Sequence, residues 1–296
     1  MQDYLAKAMA YDGFVRAYAV NATQTVSQAQ KRHDTWNTSS AALGRTLIGG
    51  LLLGSTVKGE DTISVRVQGS GPAGAVIVTS NGSGDVKGYV QNPHVSLPLN
   101  EEGKIDVKGA IGTQGIFSVT KDLGLKEPFS GQTPIVSGEL GEDFTYYLAE
   151  SEQIPSSVGL SVSVDVDDSI KTAGGFMLQM MPGASEGVVA ALEKRIRQLP
   201  KVSVMLDDGK SPEEILDFIF ADEPKPITIL EKLSVQFRCD CSKERFAKGL
   251  ISLETQELQE MIEQDHGAEA VCTFCQEKYK FSEQELELLK QEAVDN

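Results

Sequence analysis

The sequence predicts an α+β protein: an N-terminal mixed, largely antiparallel sheet domain with helices, then a helical linker, then a small C-terminal domain. Three observations support this division. Stretches that alternate apolar and polar residues, a pattern typical of half-buried strands, recur over residues 1–181. Helical patterns bounded by proline follow in residues 182–230, and all four cysteines fall within residues 231–296.

Composition and charge limit the function classes. The chain has 296 residues, of which 40% are hydrophobic, so it can bury a sizeable core. Its formal net charge of −16 disfavours binding to a phosphate backbone, and we expect no nucleic-acid partner. The first ten residues contain an acidic residue and lack the apolar core of a signal peptide. The most apolar run (47–54) is too short to span a membrane. We therefore expect a cytoplasmic protein without a membrane partner.

The strand predictions in the first domain rest on alternation and on turn residues. Residues 75–80 and 86–91 flank the turn sequence NGSGD and predict a hairpin. GSGPAG (69–74) fits a dinucleotide-binding pattern, but the sequence after it reads as a strand rather than a helix, so we interpret it as a glycine-rich hairpin. The other predicted strands are 61–69, 104–112, 115–122, 159–168 and 174–184.

Helices are also predicted within the first domain. Apolar residues recur at helical spacing in three segments, 13–20, 39–57 and 141–152. The mixture of these helices with hairpin-forming strands is what predicts the α+β class.

The linker, residues 182–230, is predicted to be helical with an unusually apolar face. Ser185 can cap a first helix, and Ser211 with Glu214 forms a capping box around a second. Pro224 and Pro226 end the segment. We expect the apolar face to pack on the first domain in the resting state. Once exposed, it would supply candidate client-binding residues: Ile215, Leu216, Phe218, Ile219 and Phe220.

The C-terminal domain, residues 231–296, contains two cysteine pairs. Cys239 and Cys241 form C-x-C, thirty residues intervene, and Cys272 and Cys275 form C-x-x-C. Four soft sulfur ligands are the number that a tetrahedral structural zinc site needs, so we predict one Zn²⁺ per chain. Such a small domain has few large apolar residues and benefits from a metal cross-link. The alternative is four unrelated buried thiols.

Local sequence adds detail to this domain. Ser242 is predicted to cap a helix, Ser282 and Glu285 to form a capping box, and residues 270–281 to form a hairpin with C-x-x-C in its turn. Four basic residues surround the C-x-C pair and, by favouring thiolate, should ease its deprotonation: Arg238, Lys243, Arg245 and Lys248. The alternative is an ordinary basic, solvated helix face. His266 lies near the second pair, but we expect a surface role rather than a ligand.

These motifs resemble one known family. The cysteine spacing, CSKERF after the first pair, and the stretches GELGEDFTYYLAESEQIPSSVGL and GGFMLQMMPGA are similar to the heat shock protein 33 family of bacterial redox-regulated chaperones. The resemblance extends along most of the chain.

The resemblance implies an ATP-independent holdase that is inactive when reduced and bound to zinc. It further implies that oxidants convert Cys239–Cys241 and Cys272–Cys275 to disulfides and that zinc is released. The linker and zinc domain then unfold, and the active form is a homodimer that binds unfolding proteins under oxidative stress.

Two other function classes stay open at this point. One is a constitutive zinc ribbon used for docking, which would keep its metal under oxidant. The other is a thiol–disulfide oxidoreductase using C-x-x-C, although the thioredoxin-like context that such chemistry needs is not apparent. The sequence lacks G-x-S-x-G, H-E-x-x-H and a phosphate-binding loop, so we expect no enzymatic activity and assign no catalytic residue.

Overall fold

The computed structural model describes residues 2–223 and 225–295, so the predicted role of Pro224 lies outside the described residues. Contacts divide the chain into two compact units, one that ends at Arg238 and one that starts at Cys239. The predicted boundaries at 181/182 and 230/231 stay predictions, because a division by contacts does not test which segments unfold independently.

The first unit contains most of the secondary structure. In chain order its elements are β1 (Tyr4–Ala10), β2 (Val15–Asn21), α1 (Thr23–His33), α2 (Asn37–Gly54), β3 (Thr62–Gly69), β4 (Ala75–Asn81), β5 (Asp85–Val90), α3 (Val107–Ile111), β6 (Gly115–Asp122), β7 (Phe129–Pro134), α4 (Gly141–Glu150), β8 (Ser156–Val164), β9 (Ile170–Met180), α5 (Glu186–Ile196), α6 (Val202–Asp207), α7 (Pro212–Ile219), β10 (Thr228–Ser234) and β11 (Gln236–Phe237).

Two sheets organise the described part of this unit. The first is antiparallel throughout, in the order β10–β1–β2–β9–β8. The second has the order β11–β5–β4–β3–β6–β7, and only the short β11 is parallel to its neighbour. The fold class predicted from the sequence, α+β with largely antiparallel pairing, is confirmed.

Helix α2 is the centre of the first unit. It packs against strands of both sheets, and sixteen of its eighteen residues are buried. Gly49 allows this close approach, because a Cβ there would lie 2.2 Å from Cζ of Phe144. A helix that is apolar on all sides is stable only in such a fully enclosed position.

The predicted linker helices cover the other face of the first sheet. Alternate residues of β1 and β2, including Ala6, Ala8, Val15 and Ala17, form one hydrophobic cluster with residues of α5, α6 and α7. The predicted packing of the apolar linker face on the first domain is therefore confirmed, and its assignment to a resting state stays a prediction.

Local sequence predictions were mostly correct. The hairpin of β4 and β5, the helix α4 and the glycine-rich connection between β3 and β4 are confirmed. Ser185 accepts a hydrogen bond from Val188 N, and Ser211 with Glu214 forms the predicted capping box.

Two predictions in the first unit were wrong. Residues 13–20, predicted as a helix, contain strand β2, which lies between β1 and β9 and is covered on both faces. Six of its seven residues are buried, and periodicity cannot distinguish such a strand from a buried helix. Residues 104–112, predicted as a strand, contain helix α3, which begins because the Asp106 carboxylate accepts a hydrogen bond from Gly109 N.

The second unit is small and helical around one hairpin. Its elements are α8 (Lys243–Ile251), α9 (Thr255–Glu263), β12 (Gly267–Val271), β13 (Lys278–Ser282) and α10 (Glu283–Asp295). Strands β12 and β13 pair antiparallel, and four buried residues form the hydrophobic cluster: Leu258, Ile262, Phe281 and Leu286. The predicted cap at Ser242 and the capping box of Ser282 with Glu285 are present.

Candidate metal centre

The four cysteines converge at one point in the second unit. Their sulfur atoms all lie within 4.8 Å of one another. The measured contacts join the two motifs, with 3.8 Å between Sγ of Cys239 and Cys272 and 3.3 Å between Sγ of Cys241 and Cys275. A disulfide needs about 2.05 Å, so the four groups are thiols at a distance suited to sharing an ion.

The C-x-x-C pair is positioned by a tight turn between β12 and β13, as predicted. Cys272 N donates to the Glu277 carbonyl at 2.9 Å, and the Cys272 carbonyl accepts from Gln276 N at 2.7 Å. These bonds close the hairpin end and bring both sulfurs inside it, where Cys272 and Cys275 are only 6% and 3% exposed.

The C-x-C pair lies in the extended segment that precedes α8. Ser242 starts that helix by accepting a hydrogen bond from Arg245 N, which ends the segment directly after Cys241. The Tyr279 hydroxyl donates to the Cys241 carbonyl at 3.1 Å and lies 3.2 Å from the Cys241 sulfur. Sequence reasoning missed Tyr279, because its contact depends on strand register, which the cysteine spacing does not reveal.

The residues fit a tetrahedral metal ion. Sulfurs bound at about 2.3 Å to a central zinc ion would be separated by about 3.8 Å. The contacts of 3.8 and 3.3 Å and the limit of 4.8 Å bracket that value. The cluster is therefore able to bind a metal, and its all-sulfur donor set is the type that soft or borderline ions prefer.

The structure does not show the predicted stabilisation of thiolate at the C-x-C pair by its basic neighbours. Arg238 pairs with Asp85 at 3.5 Å and Lys243 with Glu285 at 2.5 Å, while Arg245 pairs with Asp240. These cations are largely neutralised by carboxylates, two of which are distant in sequence.

Burial instead has the largest effect on the pKa of the thiols. It raises the pKa of Cys239 to about 11 and also raises the pKa of Cys275. For Cys241 burial acts in the same direction, but hydrogen bonds from Tyr279 and the neighbouring thiols outweigh it and lower the pKa. Deprotonation is thus easier for Cys241 than for Cys239 and Cys275, and metal binding must displace protons from those two thiols.

The other predicted residues lie apart from the cysteines in sequence and in role. Ile215, Leu216, Ile219 and Phe220 are buried in the cluster on the first sheet, and Phe218 packs at its margin. Their client-binding role stays a prediction. His266 is exposed and bonds to Glu283 at 2.9 Å.

Comparison with known proteins adds independent information. A family profile described as Hsp33 protein matches residues 3–282. The chain is 60% identical over 296 residues to the 33 kDa chaperonin of Enterococcus faecalis, covering 100% of this chain and 99% of that one. It is 55% identical over 294 residues to the 33 kDa chaperonin of Listeria monocytogenes serotype 4a, covering 99% and 100%.

A solved structure agrees with these relatives. The crystal structure of the 33 kDa chaperonin (heat shock protein 33 homolog) of Thermotoga maritima is 38% identical and superimposes with a TM-score of 0.92, covering 100% of both chains. Among the described residues, none of the helices has the length and apolarity to cross a bilayer.

The fold, the four-sulfur cluster and these matches together define a class of α+β proteins whose relatives are named chaperonins. Within that class, the chain belongs to the Hsp33 family. The resemblance derived from the sequence is confirmed.

Proposed function

We propose that this protein is a redox-regulated, ATP-independent chaperone that prevents aggregation of unfolding proteins under oxidative stress. It is inactive when its four cysteines are reduced and bind one Zn²⁺. Oxidation of those cysteines activates it. The observation that supports this most directly is the convergence of all four cysteines of the chain within 4.8 Å in a small separate unit. Family membership supports the chaperone assignment.

In the proposed resting state, Cys239, Cys241, Cys272 and Cys275 are the metal ligands. When bound, a zinc ion would supply a structural cross-link between the two motifs. The turn at Cys272 and the cap at Ser242 hold the sulfurs at distances suited to such an ion. The protein's own residues thus provide a closed, four-ligand site with no position left for a substrate.

The proposed activation uses ordinary thiol chemistry. A thiolate attacks a peroxide oxygen, the O–O bond breaks, and a sulfenic acid and hydroxide form. The second thiol of the same motif attacks the sulfenic sulfur, forms the S–S bond and expels water. We propose the pairs Cys239–Cys241 and Cys272–Cys275. Each disulfide removes two of the four ligands.

Ligand loss is expected to unfold the second unit. Structural zinc contributes roughly 10–16 kcal/mol of apparent binding free energy in small zinc peptides. Whole-domain stability is usually only ~5–15 kcal/mol. The hydrophobic cluster of this unit is small: four buried residues, with only partly buried side chains packed against them.

The proposed client surface is the apolar face of α7. Three side chains on this face of α7 and that of the residue after it are buried: Ile215, Leu216, Ile219 and Phe220. At ~1.5–3 kcal/mol per buried side chain, docking contributes at most roughly 6–12 kcal/mol, whereas a helix cap contributes only ~1 kcal/mol. The helix should therefore lose structure when it loses its place on the sheet. Release would expose an apolar surface suited to binding unfolded chains.

We also propose that the active form is a homodimer and that the protein is cytoplasmic.

The experiment combines three measurements on the same samples. Light scattering follows aggregation of a thermally unfolding client enzyme, a chromogenic chelator follows free zinc, and mass spectrometry maps the disulfides. Reduced protein should contain one zinc and leave aggregation unchanged. Protein treated with hydrogen peroxide at elevated temperature should have lost zinc, carry the two within-motif disulfides and suppress aggregation.

Serine variants provide the controls. Cys272→Ser should lower zinc affinity, whereas Thr273→Ser, in the same turn, should not change it. Suppression of aggregation by protein that retains zinc and four thiols would refute the redox switch and leave a constitutive binding protein. Reduction of insulin disulfides at a catalytic rate would instead identify a thiol–disulfide oxidoreductase.

A further inference from the structure

Strand β10 is an edge strand that is weakly held. It pairs only with β1 in the first sheet, with a register shift between Lys7 and Ala8. Six of its seven residues are exposed, including Leu230. An edge strand with so little apolar burial is expected to open at a lower free energy than the strands it borders.

The segment after β10 is anchored at its C-terminal end. Val235 and Phe237 are buried, and the Phe237 ring contacts His33 edge-on at a centroid distance of 6.4 Å. Arg238 N donates to the Val86 carbonyl at 2.9 Å. The next residue in the chain is Cys239, so the anchor directly precedes the first cysteine of the metal centre.

The same strand also contacts α7 through an ion pair. Glu213, at the start of α7, accepts a hydrogen bond from the Tyr4 hydroxyl at 2.6 Å and forms an ion pair with Lys232 of β10. The Glu213 side chain is only 15% exposed. Burial by itself would raise the pKa of Glu213, but Lys232 and Tyr4 outweigh it and hold the pKa below its ordinary value. Lys232 on β10 thus stabilises the negative charge of Glu213, whose side chain is largely buried in the docked α7.

A second ion pair on the same two strands serves as a comparison. Lys7 of β1 pairs with Glu231 of β10 at 2.8 Å. Glu231 is adjacent to Lys232, but its side chain points to the other side of the strand. This pair ties β10 to β1 without involving Glu213.

We propose that residues 228–238 transmit loss of the metal centre to α7, with the Lys232–Glu213 ion pair as the point of release. The proposal rests on the function proposed above. When the second unit unfolds, the chain that follows the buried residues Val235 and Phe237 is no longer folded. Strand β10 then separates from β1 at the edge of the first sheet. Lys232 then separates from Glu213, and a largely buried carboxylate without its cation destabilises the docked α7.

The test uses the full chain, reduced and loaded with zinc, so that it does not depend on oxidation. Hydrogen exchange measures protection of amides 213–219 of α7. Lys232→Met and Glu213→Gln should each lower that protection about tenfold, equivalent to about 1.4 kcal/mol. Zinc content should stay at the wild-type value. Glu231→Gln is the matched control and should leave amides 213–219 unchanged, and Lys232→Arg should retain their protection.

A double variant separates a specific contact from general damage. Glu213→Gln combined with Lys232→Met should lower protection no further than either change alone, because both remove one interaction. Both single variants should also become active at a lower oxidant dose than wild type. Equal protection in all variants, or equal loss in Glu231→Gln and Lys232→Met, would overturn the proposal. If wild type never gains activity on oxidation, the proposed function fails, and the exchange result still decides whether Lys232 holds α7.

Discussion

The two units of the chain are stabilised in different ways. The first unit encloses α2 on all sides and buries a large number of apolar side chains, including Phe117, Phe144 and Tyr147. The second unit, of about 60 residues, has a hydrophobic cluster of four buried residues and two buried cysteines. The comparison teaches that the chain places all four cysteines in the unit with the smaller hydrophobic cluster, where a shared metal ion would add the most stability.

Removal of the metal should have the largest effect on stability, and this effect should be confined mainly to the second unit. In Cys272→Ser, or in reduced protein treated with a strong chelator, amides of residues 239–295 should lose nearly all protection from hydrogen exchange. Amides of β3, β4 and β6 should keep theirs, because these strands lie in the second sheet and do not pair with β10. Thr273→Ser is the control. Retained protection of 239–295 without metal would show that the second unit is stable by itself.

Overpacking the first unit should have the next largest effect. Gly49→Ala places a methyl group 2.2 Å from Phe144 Cζ, so neighbours must move, at a cost of about 1–3 kcal/mol. Urea denaturation of the reduced protein, followed by circular dichroism, measures this loss. Gly187→Ala is the matched control, since its Cβ would meet only Ser185 Oγ at 3.7 Å. An unchanged denaturation midpoint for Gly49→Ala would contradict the tight packing of α2.

A change of glycine to alanine should instead increase stability in the second unit. Gly249 lies within α8, where an added Cβ would meet nothing within 4 Å. Alanine there should stabilise the unit by about 0.5–1 kcal/mol, because glycine loses more backbone entropy in a helix. Slower zinc loss to a competing chelator would show the gain. Gly249→Ser should give a smaller gain, and a faster loss in Gly249→Ala would argue against an open helix face.

The last prediction concerns pH and the attachment of α7. Glu213 has a folded-state pKa below its ordinary 4.5, since Lys232 and Tyr4 outweigh the effect of burial. Its contribution to stability is therefore present above pH 4.5 and is lost as the pH falls below 4.5 towards the folded-state value. The unfolding free energy of wild type and Glu213→Gln should converge over this range. A difference that stays constant with pH would show that Glu213 acts through packing alone.

Local chemistry made a large part of the fold predictable. Capping boxes at Ser211 and Ser282 and the turn NGSGD were correct because each depends on residues within a few positions of one another. Strand β2 was mistaken for a helix because the helices α7 and α2 pack on its faces and bury both of them, and only the tertiary structure supplies that information. Strand β10 was not anticipated for a similar reason, since its single partner is β1 at the other end of the first unit.

The same distinction applies to the metal centre. Sequence spacing identified the four cysteines, because a C-x-C and a C-x-x-C pair together already supply the complete ligand number. It did not identify Tyr279, and it misjudged the basic neighbours. Arg238 and Lys243 find their carboxylates at Asp85 and Glu285, which are far away in sequence.

The order of strands in the first sheet has a consequence for the synthesis of the chain. Val15 of β2 lies opposite Met180 of β9, so the centre of the sheet joins segments made early and late. Until residue 180 has left the ribosome, β1 and β2 form only an isolated hairpin, which is marginally stable in water. Pairing over such long separations is slow and leaves apolar strands exposed meanwhile. Strand β10 is made last of the five and closes the edge beside β1, so its attachment marks the completion of the first sheet on the nascent chain.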